Sequence, residues 1–227
     1  MWKLVLISLT AIILSANEHY PSHWWTPVRE SKTPSWEILP QAADLKKNEV
    51  ILSKRNELGL LSNFAATPFS LKKKHYASIE GFWQSLKYPE LKLDERSRLT
   101  KEWPFKRSEV EQMTAFEAMN AGKKANEIMS KYHITWISFA GEKIAFKTDK
   151  KDIEKHYNII EMATRAKIDQ NPEVKKVLLQ TGNLTLRPDH HEDKDGTKAW
   201  RYYEIYMKLR EELKNNPSKK LLPENWE

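Results

Sequence analysis

Glu80, Trp83, Gln84 and Lys87 are the residues whose types and spacing could do chemistry together. At i, i+3, i+4 and i+7 they share one stripe of a helix. A carboxylate and an ammonium then stand about 10 Å apart along the axis, with an aromatic ring and a carboxamide between them. Such a stripe can wall a site for a polar, ring-containing ligand. It also describes an ordinary solvated helix face, with Trp83 widening the buried side, and periodicity alone leaves both readings open. A second group is the loop from Arg187 to Gly196, which gathers Asp189, His190, His191, Glu192, Asp193 and Asp195. Aligned as a calcium loop on Asp193, Asp195 and Gly196, it puts His191 in the first place and Tyr202 in the last, where a bidentate Glu is needed. His190 and His191 lack the i, i+4 spacing that brings two imidazoles to one helical face. Neither a metal nor another cofactor is expected.

Other chemistries drop out by absence. The chain has no cysteine, so disulfides, a thiolate nucleophile and thiolate metal sites are excluded. It has no Gly-rich phosphate loop and no G-x-S-x-G elbow, so dinucleotide oxidoreductases and serine hydrolases lack support. The formal charge of +7 suits a phosphate-bearing ligand or nucleic acid, or simply solubility.

The elements that must position these residues follow from periodicity and punctuation. With 227 residues, 40% of them hydrophobic, the chain can bury one sizeable core. Met1–Ala16, a lysine followed by a short apolar run, reads as a signal peptide, too short for a span of about 20 residues; an N-terminal core helix or an uncleaved anchor are the alternatives. A periplasmic or secreted protein is expected, with no stable membrane insertion after cleavage. Residues 17–47 carry Pro21, Pro27, Pro34 and Pro40 among Trp24, Trp25 and Trp36, which predicts an irregular arm folded back on the domain or an aromatic lip at a ligand site. Residues 48–215 form the domain and 216–227 a tail. Within the domain, Glu49–Ser53 predicts a strand and Phe69–Tyr76 a hairpin turning at Lys72-Lys73-Lys74. Ile79, Phe82 and Leu86 predict a helix over 79–87 with one buried side. A short helix at 91–101 ends at Pro104. Ser108 and Glu111 predict a capping box for a long helix reaching Tyr132, whose Gly122 costs about 1 kcal/mol against Ala and so signals close packing or a break. Lys123 and Lys124 read first as solvated, with phosphate contact as the alternative. Residues 134–146 predict a hairpin or an extended link. Asp149 caps a helix to about Ile168, Pro172 starts another to Gln180, and 199–215 is the last. The expected fold is α+β, a predominantly helical single domain with a few short strands.

Leu61-Ser62-Asn63-Phe64, Pro68-Phe69 and Ser78-x-Glu80-x-x-x-Gln84-x-x-Lys87 occur in that order. Ala121-Gly122-Lys123-Lys124-Ala125, Leu178-Leu179-x-Thr181-Gly182 and Met207-x-x-Arg210 follow. Together these blocks, from about Val50 to Leu213, resemble the NADAR family, the YbiA-like N-glycosidases. The resemblance implies a YbiA-like fold and hydrolysis of an N-glycosidic bond. The substrates it implies are ribosylamine intermediates of riboflavin synthesis, or ADP-ribose attached to guanine, free or on nucleic acid. Breaking such a bond builds positive charge at the anomeric carbon, so a facing carboxylate lowers the barrier. In that reading Glu80 stabilises the cation or activates water. Lys87 holds phosphates or, with a lowered pKa, traps the opened sugar as a Schiff base. Asp189 supplies a second carboxylate, and Trp83 stacks on base or sugar. Asn63 binds ribose hydroxyls or the leaving base, while Ser62, Phe64, Gln84, Trp136, His190 and Trp200 complete the expected substrate contacts. The chain departs from the pattern where a family His is Gly81, where R-x-D-W becomes His133-Ile134-Thr135-Trp136, and where Trp200 and Tyr203 replace Asn and Gly. The alternative is a non-catalytic module of the same fold that binds a nucleotide or ADP-ribose.

Overall fold

A computed structural model describes residues 20–29, 33–90, 94–191 and 197–226; the segment 1–16, read above as a signal peptide, lies outside them. Strand β1 (Glu49–Ile51) is buried along its whole length. It pairs in parallel with a strand the sequence did not announce, Thr185–Arg187, placing Val50 opposite Leu186. Strands β2 (Phe69–Leu71) and β3 (Lys74–Tyr76) form the expected hairpin, with Lys72 and Lys73 at φ 51° and 60° in its turn. Strands β4 (Ile137–Phe139) and β5 (Glu142–Ile144) form another, turning on Ala140 and Gly141 at φ 50° and 80°. The partner of β1 is β6 in chain order.

The rest is mostly helical: α1 (Ile79–Ser85), α2 (Arg107–Val110), α3 (Ala115–Lys131), α4 (Lys150–Gln170), α5 (Pro172–Gln180) and α6 (Tyr202–Asn215). The domain is α+β and predominantly helical, in agreement with the periodicities. Asp149 caps α4 by accepting from Asp152 N at 3.0 Å, and Pro172 opens α5. The segment before Pro104 is a 3-10 turn, Glu95–Leu99, capped by Asp94.

One expected helix is corrected. No continuous helix runs from Ser108 to Tyr132. The chain turns between α2 and α3, with Ala115 at φ 46°. The N-terminal bond is Lys106 N to Glu109 Oε2 at 2.6 Å, and Glu111 pairs with Arg107. The local capping signal yields to tertiary contact here. Ser78 Oγ donates to Met113 O at 2.9 Å, and α1 comes so close that a Cβ on Gly81 would lie 2.3 Å from that same carbonyl oxygen.

Helix α1 buries Ile79, Phe82 and Leu86 completely. The Phe82 ring meets Phe69, Tyr76 and Phe139 edge-on, with centroids 6.0, 4.8 and 5.9 Å away. Burial on that scale stabilises by about 2–3 kcal/mol for the one side chain. In the segment before β1, Trp24 is fully buried and donates to Glu57 Oε1 at 2.7 Å, while Trp25 donates to Glu49 O. At the other end Leu221 and Leu222 are buried and Trp226 stacks on Phe139. Among the described residues no helix is long and apolar enough to cross a membrane.

Candidate active site

The first turn of α1 is tied to the Ser62-Asn63 segment by backbone. Free amides at a helix start need acceptors: Ser78 Oγ takes Gly81 N at 2.9 Å, and Asn63 O takes Glu80 N at 3.0 Å. One residue earlier, Ser62 O accepts from Lys167 Nζ at 2.8 Å. Lys167 is a wholly buried lysine of α4, and burial pulls its ammonium down to about 7.

Beside this junction lies a cavity of about 700 Å³. Glu80, Trp83 and Gln84 of α1 and Lys87 in the turn just after it line the cavity, as do Ser62, Asn63 and Phe64; His190 and Trp200 line it from late in the chain. The Glu80 side chain is only 8% exposed and accepts from Gln84 Nε2 at 2.7 Å. Burial raises its pKa, while the Gln84 bond and the charges of Lys87, His190 and Lys54 work against that rise. Burial pulls Lys87 down to about 8, with the Glu80 carboxylate opposing and Lys147 adding to the fall. Its Nζ stands 5.4 Å over the Trp83 ring, a cation held on an aromatic face. Trp83 is backed by the His156 ring at 4.3 Å and by Phe146. His156 is wholly buried, and burial together with Lys87 lowers it to about 3, so it is a neutral backing ring near pH 7.

Gly122 explains the orientation of Gln84. A Cβ at that position would lie 1.8 Å from Gln84 Oε1, so the interior glycine of α3 is the space the carboxamide occupies. Asn63 Oδ1 and Gln84 Oε1 are buried acceptors without a hydrogen-bond partner among the described residues. Buried polar atoms are nearly always satisfied, and a ligand donor would satisfy these.

Lys54, Lys147 and Phe116 line the cavity without having been singled out in the sequence, whereas Lys123 lines it as its phosphate-contact alternative allowed. Lys54, Lys123 and Lys147 add cations to the wall. Lys123 sits inside the Ala121–Ala125 block, whereas Lys54 and Lys147 are isolated lysines in a lysine-rich chain and carry no local signal. Trp36 and Phe116 stand half exposed at the cavity; Phe116 meets Phe64 and Trp36 at 5.3 and 6.0 Å, so the Pro/Trp-rich segment does contribute an aromatic side to it.

Two expected contacts are corrected. Asp189 does not line the cavity. It is 1% exposed, ion-paired through Oδ2 to Lys54, and its Oδ1 lies 3.1 Å from His190 Nδ1. Burial pushes its carboxyl up, but His190 and Lys54 outweigh that and hold it below the usual range; it reaches the cavity only through those partners. Trp136 is elsewhere. Its ring lies beneath the Arg96 guanidinium at 4.2 Å and the Lys143 ammonium at 4.6 Å, because Arg96 is locked in place by Asp94. Among the described residues no group of three His, Asp or Glu side chains is placed to hold a metal ion.

No family model matches the chain, and no curated protein does. Among solved structures, the NMR structure of the E. coli protein YbiA is similar at 22% identity, covering 75% of this chain and 88% of that chain, with a TM-score of 0.48.

Proposed function

We propose that this protein hydrolyses the N-glycosidic bond of a phosphate-bearing riboside, or of ADP-ribose joined to guanine. The observation that carries the reading is that Glu80, Asn63 and Lys87 open on one cavity of about 700 Å³, within the ordinary range for small-molecule sites. These are the motif positions to which the NADAR resemblance assigns the chemistry.

As the carbon–nitrogen bond breaks, positive charge grows on the sugar carbon. A carboxylate held in a water-poor wall stabilises that charge more strongly than one in bulk water. Glu80 is such a group, and a carboxylate with a raised pKa is also a better base toward an attacking water. Asn63 Oδ1 takes a hydrogen from a ribose hydroxyl or the base, and Trp83 offers a face to either ring. Lys87, Lys123 and Lys147 face the phosphates.

The test is incubation of the purified protein with ADP-ribosylated guanosine and with ribosylamine phosphates, following free base and free sugar by chromatography. Release by the wild type, and loss of release in a folded Glu80→Gln variant, is the expected result. Undiminished release by Glu80→Gln removes Glu80 from the mechanism. A binding-only module is the second reading, favoured by Trp200, which lines the cavity where the family pattern has Asn; ligand bound with no product formed would select it.

A further inference from the structure

The Asp189–His190 pair is left idle by the mechanism above. Strands β1 and β6 run parallel in the register Ile51 to Arg187, so the chain leaving β1 reaches Lys54 beside the chain leaving β6 at Asp189. Lys54 Nζ donates to Asp189 Oδ2, and Asp189 Oδ1 is left to accept from His190 Nδ1 at 3.1 Å. The backbone is pinned as well: Ile38 N donates to Asp189 O at 2.7 Å, and Glu37 forms an antiparallel bridge with His190. The imidazole lies nearly parallel to Tyr202, 12° between planes and 6.2 Å between centroids. A carboxylate accepts from Nδ1–H, which sets the tautomer and commits that nitrogen. Nε2, at the other edge of the ring, is the nitrogen left to a ligand in the cavity that His190 lines.

Resting on the N-glycosidase reading, we propose that His190 is the general acid of the reaction, held by Asp189 and acting with Glu80 from the same cavity. The amide-like or amine nitrogen of the leaving group departs poorly as an anion and needs a proton. In the step, the carbon–nitrogen bond breaks and its electron pair goes to nitrogen, which takes the proton from Nε2 of the imidazolium. Water attacks the sugar carbon, and its proton passes to the Glu80 carboxylate. The products are the free base and the sugar hydroxyl; His190 ends neutral and Glu80 protonated, and exchange with solvent restores both. Asp189 is a positioning residue here, orienting the ring through its bond to Nδ1.

His190→Asn is the discriminating variant, because its carboxamide can keep the hydrogen bond to Asp189 while removing the proton at Nε2. On the substrate cleaved by the wild type, kcat is expected to fall by about a hundredfold or more with KM little changed. His190→Gly is expected to recover activity on addition of imidazole, a rescue that a merely structural role would not show. Thermal unfolding checks that each variant folds, and if His190→Asn does not, the imidazole rescue decides. A His190→Asn kcat within threefold of wild type, or a loss carried in KM with no rescue, overturns the assignment and leaves the Glu80 reading standing. A wild type that cleaves neither ADP-ribosylated guanosine nor a ribosylamine phosphate overturns the proposed function, and this assignment with it.

Discussion

Gln84 Nε2 donates to Glu80 Oε1 over 2.7 Å, one turn along α1, with both side chains more than nine-tenths buried. Burial favours the protonated acid, and the carboxamide bond favours the ionised one. A base must be ionised to act, so activity falls as pH drops through the Glu80 pKa. Gln84→Met keeps the length and removes the donor, which moves that fall to higher pH by about one unit or more. The pH profile of kcat/KM measures it; an unmoved midpoint would mean the bond does not tune Glu80.

Gly122→Ala puts a methyl 1.8 Å from Gln84 Oε1, so the carboxamide must swing away from Glu80. Replacing an interior helical glycine by alanine gains about 1 kcal/mol, which offsets the disturbed packing. The expected result is a melting temperature near wild type with the same upward shift of the kcat/KM pH midpoint as Gln84→Met. A melting temperature that falls in step with turnover would make Gly122 a packing residue only.

Gly81→Ala behaves differently, because the clash at 2.3 Å is with the backbone oxygen of Met113 and no side chain can move aside. A destabilisation of about 1–3 kcal/mol is expected, and more for Gly81→His, the residue of the family pattern. Denaturant titration reads it directly, and a variant as stable as wild type would contradict the close approach of α1 to this turn.

Lys87 titrates at about 8, so it is a cation at pH 7 and loses its charge as pH rises past that value. Binding of ADP-ribose, whose phosphates stay charged over this range, is expected to weaken from pH 7 to pH 9. Lys87→Met should bind roughly tenfold more weakly at pH 7 with a flatter pH dependence. Calorimetry at the two pH values decides; an unchanged slope in the variant would move the effect to another group.

Lys167 gives a stability prediction with a definite sign. Its pKa drops from 10.5 to about 7 on folding, so between those values the unfolded chain binds more protons. Stability from this group is fully present above the unfolded value and is lost as pH falls toward 7, at about 1.4 kcal/mol per pH unit at the steepest. Lys87 acts in the same sense above 8. Tyr76, Tyr88 and Tyr206, raised by burial, reverse the trend above pH 10, where only the unfolded chain gives up their protons. Denaturation at pH 7 and 8.5 should show the protein more stable at 8.5, and Lys167→Met should reduce the difference. Equal differences in both proteins would place the effect elsewhere.

The legible features were those whose partners are close in the chain. The stripe Glu80, Trp83, Gln84 and Lys87 follows from helical spacing, and it lines the cavity. Asp149 and Pro172 announce the starts of α4 and α5, and the turns at Lys72-Lys73 and Ala140-Gly141 bend as local residues suggest. Ser108 and Glu111 obeyed an equally sound local rule, yet the helix starts elsewhere because Met113 O is claimed by Ser78. Trp136 looked like any other available aromatic until Arg96 was seen to cover it.

By itself, then, the sequence determined the shared stripe of Glu80, Trp83, Gln84 and Lys87 and the buried side of α1, since each depends on neighbours within a turn or two. Only the tertiary structure decided that Lys54 meets Asp189, 135 residues away, and that His190 is thereby held at the cavity. A strand's own pattern says which of its faces is buried but not which distant strand it pairs with, and the pairing of β1 with β6 is what brings those residues together.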